Sequence, residues 1–149
     1  MRRALRLAET SVAAGGGPFG ALVVRNGEVL AEGHNRVVLD RDPTAHAEIV
    51  ALRRAAAQLG THVLAGCEVF TSCEPCPMCL GALVWARVER VWFSATRHDA
   101  AAAGFDDALL YEEVTLPLAE RRLPVVPLLP ELGAAPFAAW RSHAARTPY

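Results

Sequence analysis

Hydrophobic positions recur with a helical period at the start of the chain and then switch, more than once, to the short runs of strands. Leu5, Ala8 and Val12, with Leu7 beside them, share one helical face, and the run stops at Gly15-Gly16-Gly17-Pro18, where three glycines and a proline cannot continue it. Phe19 to Val24 and Glu28 to Glu32 read as strands on either side of Asn26-Gly27, a strong two-residue hairpin signal. Helical spacing returns from Ala45 through Glu48, Ile49, Ala51, Leu52 and Arg53, with Thr44 placed to cap it. Cys67 to Thr71 forms a short apolar strand, Pro75 to Arg87 a second helix with Leu80, Leu83 and Val84 towards the core, and Val88 to Ala95 a further strand. Helices thus alternate with strands after the opening hairpin, which predicts an α/β layered domain with a mixed sheet.

The C-terminal part follows another pattern. From Thr96 to Tyr111 alanines give way to the acidic Asp99, Asp106 and Asp107 around Phe105. Pro117, Pro124, Pro127, Pro130 and Pro136 then break the chain into extended pieces before a last amphipathic helix from Ala138 to Ala145, with Phe137 and Trp140 forming its apolar face. A segment so separated from the rest either docks elsewhere or frays.

With 149 residues and 52% hydrophobic content, residues 1–149 read as one soluble domain with a substantial core. A net charge of −1 argues against a broad nucleic-acid-binding face, and no apolar run approaches the length of a membrane span. Glu9 interrupts what Arg2, Arg3 and Arg6 would otherwise suggest as a signal peptide. Three of the four cysteines are crowded as Cys73, Cys76 and Cys79, which suits a reducing compartment, the cytoplasm, better than a disulfide framework.

Those cysteines carry the chemistry. Cys76 and Cys79, three residues apart behind a proline, converge on one face of a helical turn, where the positive end of the helix favours thiolates. Alone, the pair is equally a structural zinc site, a redox pair or two buried thiols. Upstream, His46 and Glu48 fall in the first turn of the preceding helix and address a common centre only if it lies off that helix's N-terminus. His46, Cys76 and Cys79 then supply three ligands with a fourth position open to water, the arrangement of a catalytic zinc, and Glu48 stands beside that water as general acid/base. A closed structural site that adds Cys73 is the competing reading.

His-x-Glu followed by Pro-Cys-x-x-Cys is the pattern of zinc-dependent nucleobase deaminases. The chain resembles the cytidine deaminase-like superfamily and, more narrowly, the bacterial guanine deaminases. The similar stretches are Gly17 to Ala21, Asp42 to Glu48, Thr71 to Ala82 with Trp85-Ala86-Arg87, and Ala103 to Asp107. The second and third are shared by the wider superfamily; Gly104-Phe105-Asp106-Asp107 and a chain ending in Tyr149 point to guanine. The resemblance implies a three-layer sandwich with a central mixed five-stranded sheet flanked by helices, one zinc per subunit, and hydrolysis of guanine to xanthine and ammonia. It also implies roles that the residues alone leave open. Phe19 is by default a core aromatic and by resemblance lines the base pocket; Asn35 either makes a turn or hydrogen-bonds the substrate. Trp85 packs or lies near the pocket, where Phe105 also belongs, and Asp107 favours a helix start or acts as a second proton carrier. The segment from about 117 to 149 would cross to a partner in a homodimer, with Tyr149 closing that partner's pocket. The same core serves tRNA adenosine deaminases, and one changed contact would redirect specificity to a nucleoside, a pterin or a triazine. Outside the enzymes, a zinc-stabilised interaction module remains.

Overall fold

In the computed structural model, which describes residues 1–148, Asn26 and Gly27 both adopt left-handed backbone (φ 52° and 80°). Positive φ at both centres of a two-residue loop matches the twist of the flanking strands. These are β1 (Gly20–Arg25) and β2 (Glu28–His34), paired antiparallel with a bulge at Val23/Val24. The glycine stop also holds: helix α1 (Arg2–Ala13) ends just before Gly15, whose φ is 86°. Its buried face differs from the expected one. Ala4, Ala8 and Ser11 are inside, while Leu5 and Val12 are 38% and 54% exposed. The reason is close approach: a Cβ on Gly20 would overlap the Ala4 carbonyl oxygen and stand 2.6 Å from the Ala8 nitrogen, so only small residues fit between α1 and β1.

A short turn of helix, α2 (Val37–Asp40), closed by left-handed Arg41, leads to α3 (Ala47–Leu59), which ends at left-handed Gly60. Next come β3 (Cys67–Cys73), α4 (Pro77–Trp85) and β4 (Arg90–Ala95), a parallel strand–helix–strand unit in which Thr71 lies opposite Phe93. β3 also pairs antiparallel with β1, Ala21 opposite Thr71, so the sheet runs β2-β1-β3-β4. The mixed sheet is as expected; its strand count is not, being four among the described residues where the resemblance implied five. Residues 124–128 are apolar but form no strand, and Pro124 and Pro127 each lack a ladder N–H.

The core between the sheet and α3 is built largely of alanine: Ala21 and Ala31 from the strands, Ala47, Ala51 and Ala55 from the helix, closed by Val23, Val69, Leu64 and Leu83. Small side chains let α3 lie close on the strands, which fixes its N-terminal turn at the C-terminal end of β3. On α4, Leu83 is buried as expected, but Leu80, Val84 and Trp85 are 49%, 69% and 66% exposed. The helix is apolar on every side, so its sequence could not tell the inner face from the outer one.

The protein divides into two units, with the boundary between Ala108 and Leu109. The first closes with α5 (Arg97–Ala102), begun by a capping box in which Thr96 and Asp99 satisfy each other's backbone N–H. From Ala108 run α6 (Ala108–Thr115), two 3₁₀ turns (Leu118–Glu120 and Pro130–Leu132) and α7 (Ala135–Ser142). The last helix starts earlier than predicted because Pro136 sits in its first turn, where a missing N–H costs nothing, and so opens the helix that it was expected to precede. No described residue after Ala108 is buried. No helix among the described residues is long and apolar enough to cross a membrane.

Candidate active site

The two ligand-bearing segments share one local device. His46 is the residue before α3 and Cys76 the residue before α4, both extended (φ/ψ −65°/156° and −65°/167°), and neither makes a side-chain capping bond. Both side chains are thereby left to converge off the helix starts. Thr44 and Pro75 were expected to begin these helices and do not. Asp42 captures Thr44 instead: its Oδ1 accepts from the Thr44 N–H at 2.8 Å and the Thr44 hydroxyl at 2.7 Å, folding a turn that delays α3 until Ala47. In α4 it is Pro77, not Pro75, that occupies the first turn.

His46 Nδ1 lies 3.6 Å from Cys76 Sγ and 3.6 Å from Cys79 Sγ, and the three donor atoms fall within 4.8 Å of one another. Zinc at its usual bond lengths in a tetrahedron would set nitrogen and sulfur about 3.6 Å apart. The donor set therefore fits zinc in kind and in spacing. Cys73 is outside the cluster: its thiol faces the Thr96 carbonyl oxygen at 3.5 Å, so the closed site does not form. Three protein ligands leave one position free.

The thiols share a proton unequally. A hydrogen bond from Cys79, then one with His46, holds Cys76 down to about 4, whereas Cys79, the donor of that pair, is driven well up, burial adding to the effect. His46 is raised chiefly by its bond to Cys76. Glu48, in the first turn of α3, is only 6% exposed. Thr71 donates its hydroxyl to Glu48 Oε1 at 3.1 Å, and Oε2 lies 3.5 Å from Cys79 Sγ. Burial pushes the Glu48 carboxyl above the usual range, opposed by hydrogen bonds from its own backbone N–H and from Thr71. It is a carboxyl that holds a proton more readily than an exposed one.

Asn35 is buried and serves the backbone. Its Oδ1 accepts from the N–H groups of Gly17 (3.4 Å) and Val37 (3.3 Å), and its carbonyl accepts from Ser11 Oγ (3.0 Å). With the side-chain oxygen used twice, the amide NH₂ is what this residue offers a ligand. Phe19 and Phe105 meet edge to face, ring centres 5.0 Å apart, and line an apolar cavity of about 400 Å³ with Leu5, Val12 and Cys73. Asp107 is half-buried and raised by burial, then by the nearby charge of Cys76. The adjacent Asp106 accepts from the Ala108 N–H at 2.9 Å, so the local turn is made by Asp106 and leaves Asp107 to other use. Trp85 is not gathered with this group: it ends the helix that Cys76 precedes, about 13 Å along its axis. Tyr149 lies outside the described residues.

Sequence reasoning placed a strand here but overlooked the support that its polar residues and the turn after it give these groups. Thr71 anchors Glu48, the Ser72 hydroxyl accepts from the Gly20 N–H at 3.0 Å, and the Glu74 carboxylate accepts from the Arg97 N–H at 3.1 Å. The signal for Thr71 was its phase: it alternates with buried Cys67, Val69 and Cys73, a polar residue at an inward position of a strand.

Residues 1–95 match the cytidine and deoxycytidylate deaminase zinc-binding region. The chain is 48% identical to the guanine deaminase of Bacillus subtilis (strain 168), over 100% of this chain and 96% of that protein. It is 41% identical to the tRNA-specific adenosine deaminase of Aquifex aeolicus, over 78% of this chain and 76% of that one. An X-ray structure of a guanine deaminase from Bacillus subtilis superposes with a TM-score of 0.97 at 48% identity, covering 99% of this chain and 95% of that one.

Proposed function

Because the chain belongs to the cytidine and deoxycytidylate deaminase family, in the branch of the guanine deaminases, and is a zinc-dependent deaminase, we propose that its substrate is guanine, hydrolysed to xanthine and ammonia. The observation that carries this substrate is the span of the match. Similarity to the guanine deaminase runs the length of the chain, through the Phe105–Asp107 stretch that lies beyond the residues of the shared zinc-binding region.

His46, Cys76 and Cys79 would hold the zinc, which when bound supplies a Lewis acid that makes water nucleophilic near neutral pH. Glu48 is the general acid/base. Its carboxylate takes a proton from the attacking water and delivers it to N3 as C2 becomes tetrahedral. Burial raises the proton affinity of Glu48, which suits it to both halves of that transfer. Glu48, a carboxylate again, takes the remaining proton from the new C2 hydroxyl and, with Asp107 assisting the transfer, delivers it to the amine as the C2–N bond breaks and the C2 carbonyl forms. The Asn35 amide donates to the base edge, and Phe19 and Phe105 provide aromatic surface for the flat ring.

The assembly we infer is a homodimer with exchanged C-terminal segments. Among the described residues after Ala108, Val126, Leu128, Phe137 and Leu123 are more than 65% exposed, and α4 exposes Val84 and Trp85 as well. Exposed apolar residues in such number support the reading that this surface is covered by another chain. In such a dimer Tyr149 would close the partner's pocket.

The similarity to a tRNA-specific adenosine deaminase gives a second reading, against which the net charge of −1 weighs. The test is ammonia release by zinc-loaded protein with guanine, guanosine, adenine, cytosine and cytidine, and inosine formation in tRNA, with Glu48→Ala as control. Release from guanine alone, absent in the variant, supports the proposal; turnover only of tRNA or of another amine refutes the substrate.

A further inference from the structure

Glu48 reaches into the site on a flexible side chain, and a carboxylate that shuttles protons must present one oxygen in a fixed direction. Helix α3 places its Cα and leaves three side-chain torsions to be set. One of the neighbours that restrain them belongs to the sheet. Thr71 lies in β3 between two hydrogen-bonded strands, Ala21 of β1 on one side and Phe93 of β4 on the other, and is 1% exposed. A β-branched side chain in a strand has few rotamers, so its hydroxyl is held in a restricted direction. That hydroxyl donates to Glu48 Oε1 at 3.1 Å, while Oε2 stands 3.5 Å from Cys79 Sγ, beside the three donor atoms. The two oxygens therefore have different surroundings: Oε1 is tied to the sheet and Oε2 faces the cluster.

We propose that Thr71 is a positioning residue that assigns the two carboxylate oxygens of Glu48, anchoring Oε1 to the sheet so that Oε2 carries the proton. The proposal rests on the reading of Glu48 as general acid/base. Without the hydroxyl, Oε1 loses its tie to the sheet and the carboxylate can rotate towards other donors; misplacement by about 1 Å is enough to cost around 100-fold in rate. Substrate contacts are untouched, because Thr71 acts through Glu48.

The experiment measures kcat, KM and zinc content for Thr71→Val and Thr71→Ser, and for Thr71→Val combined with Glu48→Gln. Thr71→Val, nearly isosteric, should lower kcat by roughly 10- to 100-fold with KM and zinc content unchanged. Thr71→Ser, which restores the donor, should stay near the wild type. In the Glu48→Gln background Thr71→Val should cause no additional loss, since its effect passes through the carboxylate. A wild-type kcat for Thr71→Val overturns the proposal, as does a loss expressed as raised KM or lost zinc, or an additive effect with Glu48→Gln. If Thr71→Val fails to fold, Thr71→Ala is read against Thr71→Ser by the same criteria. Full activity in Glu48→Gln alone would refute the acid/base role itself, and the Thr71 proposal with it.

Discussion

Gly33 lies flat against the first turn of α3: a Cβ built on it would overlap the Ala47 carbonyl oxygen and stand 2.7 Å from the Ala51 nitrogen. No side-chain adjustment can relieve a clash with helix backbone, so the turn that carries His46 and Glu48 would have to move. Gly33→Ala is expected to destabilise the protein by about 1–3 kcal/mol, the usual range for overpacking, and to lower kcat as well. Urea titration beside steady-state kinetics checks this; unchanged stability would mean that α3 slides freely on the sheet.

The cysteines should separate by metal content. Cys76→Ser or Cys79→Ser removes a donor and should weaken zinc binding by more than the roughly 10- to 100-fold that loss of an outer partner costs. Cys73→Ser removes only a thiol turned to the Thr96 carbonyl and should keep the metal. Zinc measured after dialysis against a chelator tells them apart. Loss from Cys73→Ser would restore the closed four-ligand site.

Asn35 can be dissected with one atom. Asn35→Asp retains an acceptor for the Gly17 and Val37 N–H groups but replaces the NH₂. KM for guanine should rise by about tenfold, the worth of one hydrogen bond, while the fold survives. Asn35→Ala, which orphans both N–H groups, should also lose stability. Equal KM values for the wild type and Asn35→Asp would assign this residue to the turn alone.

Burial holds the Cys67 thiol above its ordinary value. The unfolded chain therefore releases this proton at lower pH than the folded one does. Its contribution to stability is complete below the ordinary thiol range and fades as pH rises through and beyond it, from about 8.5. Denaturation midpoints between pH 7 and 10 should fall less steeply in Cys67→Ala than in the wild type. Identical slopes would show that Cys67 titrates alike in both states.

The exchanged dimer predicts a light-scattering mass twice that of the chain, and that Phe137→Ala with Trp140→Ala shifts the population towards monomer and reduces activity together. A fully active monomer would refute it.

How much of this was legible depended on whether a residue's role was local. His46, Cys76 and Cys79 could be read because ligand chemistry restricts both residue type and spacing, and the hairpin because Asn-Gly has one preferred geometry. Leu80 and Val84 were assigned inward because nothing in a helix that is apolar all round marks its outer face. Leu5 and Val12 were assigned inward because size ordinarily predicts burial, yet the close approach of Gly20 selected alanine at Ala4 and Ala8. Thr71 was passed over because a threonine in a strand is unremarkable until the carboxylate opposite it, 23 positions earlier, is known. The expected fifth strand rested on resemblance, and no local pattern in residues 122–129 could have replaced it.

The strand order has a consequence for how the protein assembles. The β1–β2 hairpin closes over two residues and β3–α4–β4 is a compact crossover, so each forms from near neighbours, whereas β1 against β3 joins positions as far apart as Ala21 and Thr71. Closing so long a loop is the slow step, because its entropy must be lost before the pairing rewards it. His46 and Glu48 lie on one side of that seam, with Cys76, Cys79 and Thr71 on the other. The metal site thus does not exist in either half and comes into being when they meet. In refolding followed by stopped flow, zinc should be captured at the rate of the slowest phase, which makes the bound metal a record that the last long-range contact has closed.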